Sequence, residues 1–380
     1  MRFIKTVYCS RCIYNTDFAD IEFDDDGVCN YCTQIEQLKF LYLRDGHGEI
    51  ELQRIISMIK KAGRKKKYDC IVGVSGGTDS SYVLMKAKDW GLRPLAVHYD
   101  NTWNSSIASQ NIYRITKNLH LDLRTFVVDN KEIDDIKKSF LLAGVREFDA
   151  DTDIAFVQVL RSVAAEYRIK YILEGHSFLA EGLTPVGKNY LDGGYVQDVH
   201  KKYGSLNIRS FPNMTFTQFL KWILIYRQKF IRPLWYLNYS KSLAKKELNE
   251  RLGWLDYKGH HLENYSSSFA HKEWLPKRFN LDYRILTLSA DVRENRISRT
   301  EALQIYSTPI DPDNDLINYT LKRLNIDEDA YNQIISQKIL TWRDFKNYKK
   351  RFEFMRPLFW IFAKLNLVPM SFYLKYCIKK

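Results

Sequence analysis

Over its first half the chain switches repeatedly between two spacings of apolar residues. Short apolar runs over 69–74, 94–99, 124–128 and 171–173 read as strands. Between them, apolar positions fall at helical spacing and predict helices over 80–90, 107–118, 132–143 and 154–167. A further helix over 51–63 precedes the first strand. Strands without a polar face, alternating with helices, predict an α/β fold with a doubly wound, mostly parallel sheet. From about Gly182 the alternation stops, and the glycine-rich stretch 182–194 reads as a loop over the site. The chain then divides into a metal-binding module over 1–45, a sheet domain over 46–200 and a mainly helical region over 201–380 that meets substrate or partner.

Two stretches of that last region are aromatic and basic. Phe216, Phe219, Trp222, Tyr226 and Phe230, with Lys221, Arg227 and Lys229, follow near-helical spacing. They read as a buried stripe with solvated flanks rather than a base-stacking surface. Phe352, Phe359, Trp360 and Phe372, with Lys364 and Lys375, read as docking onto the chain's own body or a partner subunit, with a membrane surface as the other reading.

Charge and cysteines sharpen the picture. The 380 residues carry 58 basic and 45 acidic side chains, a net +13, which suits an anionic partner: a nucleotide, a nucleotide-sugar, nucleic acid or anionic lipid, among which charge alone does not choose. No apolar run reaches the ~18 residues of a membrane span, and no leader is visible, so the cytoplasm is the expected compartment. Cys9-x2-Cys12 and Cys29-x2-Cys32, sixteen residues apart, match the spacing of a tetrahedral thiolate site. Four thiolates leave no open position, so the expected Zn2+ is structural; an iron–sulfur cluster is the lesser alternative. Asp24-Asp25-Asp26-Gly27 between the pairs reads as a tight turn joining two short strands.

The most specific chemistry lies at the end of the first strand, in Ser75-Gly76-Gly77-Thr78-Asp79-Ser80. A strand that ends in glycines and opens a helix offers free N–H groups to phosphate. The hydroxyls of Ser75, Thr78 and Ser80 add donors, and Asp79 is placed to cap the helix or reach Mg2+. No Lys follows the glycines and G-x-G-x-x-G is not met, so neither commoner nucleotide motif applies. The loop resembles the SGGxDS signature of the PP-loop ATP pyrophosphatases. That resemblance implies an adenine nucleotide alpha hydrolase-like sheet and ATP cleavage between the α and β phosphates. It places His98 and Asp100, at the end of the second strand, beside the adenosine. Gly175-His176 is similar to the Gly-His that follows a later strand in several of these enzymes.

A second segment narrows the family. Gly253-Trp254, His261-Leu262-Glu263, Leu275-Pro276-Lys277-Arg278-Phe279, Asp282-Tyr283-Arg284, Leu288-Ser289 and Arg299-Thr300-Glu301-Ala302-Leu303 follow in order. With the four-Cys module and the phosphate loop, they resemble the bacterial N-acetyl sugar amidotransferases of surface-polysaccharide or flagellar glycan synthesis. Tyr283 departs from the pattern, where a basic residue is expected. The resemblance implies AMP transfer to the acetamido oxygen of a nucleotide-linked N-acetyl sugar, then displacement by ammonia to give an acetamidino sugar. In that reading Ser75, Gly76, Gly77, Thr78, Asp79 and Ser80 hold phosphates, and His176 polarises the reacting group. His261, Glu263, Lys277, Arg278 and Arg284 are candidates for substrate contact. With four cysteines committed to metal, Cys70 in a strand and Cys377 near the end, no thiol is placed for a glutaminase. A separate glutaminase subunit is therefore expected to supply ammonia, and no nucleic acid is expected to bind. A PP-loop tRNA-modifying enzyme, a thiolase or a lysidine-type ligase, is the alternative.

Overall fold

A computed structural model describes residues 6–17, 21–183, 189–257, 263–365 and 367–378. Its centre is a five-stranded sheet of β1 (Cys70–Gly73), β2 (Pro94–Asp100), β3 (Leu123–Val127), β4 (Tyr171–Leu173) and β5 (Lys229–Ile231). The spatial order is β3-β2-β1-β4-β5 and every pairing is parallel. Ile71 sits opposite both Leu95 and Ile172, which fixes the central register. Six helices accompany the first half: α1 (Asn30–Leu43), α2 (His47–Gly63), α3 (Thr78–Asp89), α4 (Ser106–Asn118), α5 (Asn130–Ala143) and α6 (Ala150–Glu166).

The central strands read as continuous apolar runs because both faces are covered. Ile71, Leu95, Val97 and Ile172 pack with Ile133 and Phe140 of α5 and Leu160 of α6. Their neighbours Cys70, Val72, Ala96 and Leu173 point the other way, against Ile56 of α2, Val83 and Leu84 of α3 and Ile112 of α4. Each large side chain fully buried here contributes about 1.5–3 kcal/mol. Strand order reverses between β1 and β4, so a crevice opens beyond their carboxyl ends, where such sheets bind ligands.

β5 lies inside the stretch expected to be a helical stripe. Three half-buried residues beyond position 200 complete the sheet edge beside β4. The helical part of that stretch is limited to Phe216–Lys221 and the turn Trp222–Tyr226.

The amino-terminal module departs from the expected pair of short strands. It has the isolated bridges Tyr8↔Asn15 and Phe23↔Cys29, and its second cysteine pair opens α1. Sulfur takes the place of a ladder: the N–H groups of Arg11, Tyr14 and Cys29 donate to Cys9 or Cys12 Sγ at 3.2–3.4 Å. The tight turn is present, with Asp24 Oδ1 accepting from Asp26 N at 3.1 Å and Val28 N at 2.8 Å. The module's small core is completed by Ile285, Leu288 and Val292 of the helix Arg284–Arg293.

Candidate active site and metal centre

Ser75–Ser80 connects β1 to α3 at the strand-order reversal. Gly76 has φ +81°, a conformation that suits glycine, and a Cβ there would lie 2.4 Å from Ala108 O. The loop braces itself: Gly77 N donates to Ser75 Oγ at 3.2 Å and Ser75 N to Ser80 Oγ at 3.2 Å. No side chain caps α3 at Gly77, so its first-turn N–H groups keep their capacity for an anion. The β4 end meets this turn. A Cβ on Gly175 would stand 2.6 Å from the Asp79 carbonyl carbon, so only glycine allows this approach.

Asp79 is not a helix cap. Its carboxylate accepts from the Tyr239 hydroxyl and pairs with Lys241 Nζ at 2.9 Å. Burial alone would lower the Lys241 pKa, but Asp79, Tyr257 and Glu181 outweigh it and hold the ammonium charged. Lys241 and Tyr239 were missed in sequence; the two partners stand about 160 residues from Asp79 and share no motif with it.

The segment after Gly253 lies across the same loop. Trp254 Nε1 donates to Gly76 O at 3.1 Å, and Asn111 Nδ2 donates to the same oxygen at 3.2 Å. Thr78 N donates to Tyr257 Oη at 3.4 Å. Glu263 is buried and aimed at the loop, with Oε1 2.7 Å from where a Gly77 Cβ would be. Burial, reinforced by the Glu263 charge, raises the Tyr257 pKa. His261 lies outside the described residues.

His98 and Asp100 act behind the loop. His98 Nδ1 meets Val74 O at 2.9 Å and its Nε2 meets Asn104 Nδ2 at 3.2 Å. These partners assign the proton to Nδ1, and burial holds the His98 pKa below its ordinary value. Asp100 Oδ1 accepts from Thr102 N at 2.8 Å and from Asn104 Nδ2 at 3.1 Å, shaping the turn after β2.

His176 borders a cavity of about 360 Å³ that also meets Arg146, Asp149, Glu181, His271 and Tyr283. Its Nδ1 accepts from Trp235 Nε1 at 2.9 Å, while Nε2 stands 3.6 Å from Glu181 Oε2. The cavity therefore begins one residue from the Gly175 contact with the phosphate loop. Behind it, the fully buried Lys137 joins Asp149 at 2.8 Å and Asp151 at 3.1 Å. Ser266 Oγ donates to Asp149 at 2.6 Å, tying the later segment to the sheet.

The basic candidates lie elsewhere. Arg278 is buried and donates to the carbonyls of Gly144 at 3.0 Å and Ile335 at 2.7 Å, and also to Ile334 O. Lys277 pairs with Glu273 at 2.8 Å, and Arg284 pairs with Asp282 at 2.7 Å. Arg284 also donates to Thr308 O at 2.8 Å. Lys277 and Arg284 line a separate cavity of about 730 Å³. Tyr283 exchanges hydrogen bonds with Asn189 and packs on His271, with ring centroids 5.2 Å apart.

Cys9, Cys12, Cys29 and Cys32 are fully buried, and their four Sγ atoms lie within 4.8 Å of one another. A tetrahedral ion with Zn–S of about 2.3 Å sets its sulfurs about 3.8 Å apart. The Cys12–Cys29 and Cys9–Cys32 separations are 3.8 and 3.9 Å, so the cluster can hold one zinc ion. Arg299 Nε donates to Cys9 O at 3.0 Å and Cys12 O at 3.1 Å, and Ile13 N donates to Ser289 Oγ at 3.3 Å. Ser289 and Arg299 of the later motif segment thus fasten the module.

Residues 214–358 match the family described as LPS biosynthesis protein WbpG-like, C-terminal domain. No curated protein matches the chain. Among solved structures, NMN synthetase from Francisella tularensis is 13% identical with a TM-score of 0.32, covering 72% of this chain and 93% of its own. The NH3-dependent NAD synthetase from Campylobacter jejuni is also 13% identical with a TM-score of 0.32, covering 76% and 97%. The U34-tRNA thiolase NcsA from Methanococcus maripaludis, which has a 4Fe-4S cluster, is 12% identical with a TM-score of 0.32, covering 85% and 99%. At such TM-scores the likeness is too loose to carry a substrate or a reaction across. The phosphate loop lies at the sheet's switch point, and the region that matches the WbpG-like C-terminal domain family reaches it through Trp254, Tyr257 and Glu263.

Proposed function

We propose that this PP-loop ATP-dependent enzyme converts the acetamido group of a nucleotide-linked N-acetyl sugar into an acetamidino group. The observation that carries the reading is the cavity bordered by His176, which opens beside the phosphate loop and is roofed by the family-matched region. An amide oxygen seated there attacks the α-phosphorus of ATP as the bond to pyrophosphate breaks. Ammonia then adds to the activated carbon, AMP departs with the former amide oxygen, and the amidine keeps one proton as a cation.

The residues present fit a triphosphate with Mg2+. First-turn N–H groups of α3 and the Lys241 ammonium supply positive charge. Asp79 and Glu263 bring carboxylates to the same loop, where a divalent cation would reconcile them with phosphate oxygens. Mg2+ would offset charge as pyrophosphate leaves. His98 keeps the loop's entry fixed. His176 accepts from Trp235 at Nδ1, which places its proton on Nε2, toward the cavity it borders with Glu181.

A separate glutaminase subunit supplies the ammonia in this reading. The two thiols outside the metal cluster, Cys70 and Cys377, are buried, and burial raises both, Cys377 to about 11. Neither resembles an activated nucleophile. Zn2+ in the four-Cys cluster is structural, and the enzyme works in the cytoplasm, where nucleotide-sugars are made available to it.

The test is AMP and pyrophosphate release from ATP with ammonium, screened over UDP-linked N-acetyl sugars and bulk tRNA. Release that depends on a sugar is expected. Release with tRNA alone would favour a tRNA-modifying PP-loop enzyme, and turnover with glutamine by the isolated chain would sink the separate-glutaminase reading.

A further inference from the structure

The end of the chain concentrates its charge. Between positions 346 and 380, nine Lys and Arg residues stand against a single acidic one, Glu353, so this stretch carries +8 of the net +13. Its helices Lys349–Phe354 and Arg356–Lys364 are joined at Met355. One face is satisfied: Phe352, Phe359 and Phe362 are buried with Phe216 and Ile223. The adjoining side is not. Leu358, Ile361 and Leu365 recur at spacings of three and four, which places them on one stripe of the second helix, and Phe354 ends the helix before it. Phe354, Leu358, Ile361 and Leu365 are 89%, 37%, 46% and 61% exposed.

Lys350 and Lys364 are exposed beside that stripe, and Lys364 Nζ lies 5.5 Å from the ring centre of the half-exposed Trp360. Leu224 and Ile225 are exposed on the neighbouring turn Trp222–Tyr226, whose Ile223 belongs to the same buried cluster. An aliphatic surface edged by cations and a tryptophan has the composition of a helix lying in a bilayer interface. Among the described residues no helix is long and apolar enough to cross a membrane, so the mode is lying on it.

We propose that this face docks the protein on an anionic lipid surface, with Phe354, Leu358, Ile361 and Leu365 entering the headgroup region and Lys350 and Lys364 meeting lipid phosphates. Charge complementarity selects this occupant. A second copy would bring the same exposed Lys350, Arg351 and Lys364 against the first and be repelled. Nucleic acid would match the charge but not the aliphatic stripe, which offers bases little to stack on. The proposal does not depend on which substrate the phosphate loop activates.

The experiment incubates the full chain with vesicles of phosphatidylcholine alone or mixed with phosphatidylglycerol, at about 0.1 M salt. Binding is expected only to the mixed vesicles and should weaken as salt rises. A Lys350→Glu, Lys364→Glu double variant should bind at least tenfold more weakly, since each removed lysine alone is worth about fivefold. A Phe354→Ser, Ile361→Ser variant should also lose at least tenfold, with an unchanged thermal melt because both side chains are exposed. Failure to bind mixed vesicles, or binding indifferent to both variants, would overturn the proposal. So would tighter binding to bulk tRNA than to vesicles, or a concentration-dependent dimer that the Phe354→Ser, Ile361→Ser variant abolishes.

Discussion

The two ends of the Gly253–Leu303 segment use similar residues for opposite purposes. At its front, Trp254, Tyr257 and Glu263 reach the phosphate loop and leave a carboxylate facing it. At its back, Arg278, Arg284 and Arg299 turn their guanidinium groups onto backbone carbonyls: Arg278 onto Gly144 and Ile335, Arg284 onto Thr308, Arg299 onto Cys9 and Cys12. An arginine in a motif suggests an anion to bind. Here they satisfy carbonyls where segments join, and the positive charge at the phosphate loop comes instead from Lys241 and a helix end. The comparison teaches that burial and partner decide the role, not residue type.

That division can be broken from either side. The largest effect should follow loss of metal at the back. Structural zinc contributes on the order of 10 kcal/mol in small thiolate sites. A Cys9→Ser, Cys12→Ser variant, or a strong chelator, should therefore release one zinc per chain and markedly lower the thermal midpoint. Metal analysis beside a melting curve checks this, and a metal-free chain with an unchanged midpoint would contradict it. Next in size, Arg278→Met and Glu263→Gln should separate. The first strands several buried carbonyls and should cost about 3 kcal/mol in urea unfolding, with normal pyrophosphate release per folded molecule. The second should leave the urea midpoint nearly unchanged while slowing pyrophosphate release about a hundredfold. If both variants moved the same readout, the two ends would not differ in role.

The smallest effect concerns His98. Its folded pKa lies below the ordinary 6.5, chiefly through burial. The unfolded chain therefore binds more protons in that window, so His98 contributes stability above pH 6.5 that is lost as pH falls through the folded pKa. Urea midpoints measured downward from pH 7 should drop more steeply for the wild type than for His98→Asn. Parallel curves would mean that His98 is not held neutral by the fold.

Much of this architecture was legible in the sequence for a physical reason. β1, β2 and β4 are covered on both faces, so their apolar runs stand out, and the strand–loop–helix shape of Ser75–Ser80 needs only local rules. β5 escaped because three half-buried residues cannot display a period. The Asp79–Lys241 pair escaped because an ion pair across 162 positions has no local signature. The carbonyl partners of Arg278 and Arg284 escaped because sequence does not reveal which carbonyls will lack partners once segments meet. Glu263 was singled out for the sugar, yet it stands over the phosphate loop, since the fold brings it back to Gly77.

The distance in sequence between the phosphate loop and its cover has a consequence for synthesis. Residue 80 leaves the ribosome long before β5 can complete the sheet edge beside β4, and Glu263 follows later still. At about 5–20 residues per second, the interval from the loop to Glu263 is roughly ten to forty seconds. During that time the nascent chain holds an uncovered glycine turn and, between the synthesis of β4 and that of β5, an unpaired β4 edge. Codon choice or chaperone contact between positions 80 and 263 should therefore influence yield more strongly than the same change after position 300.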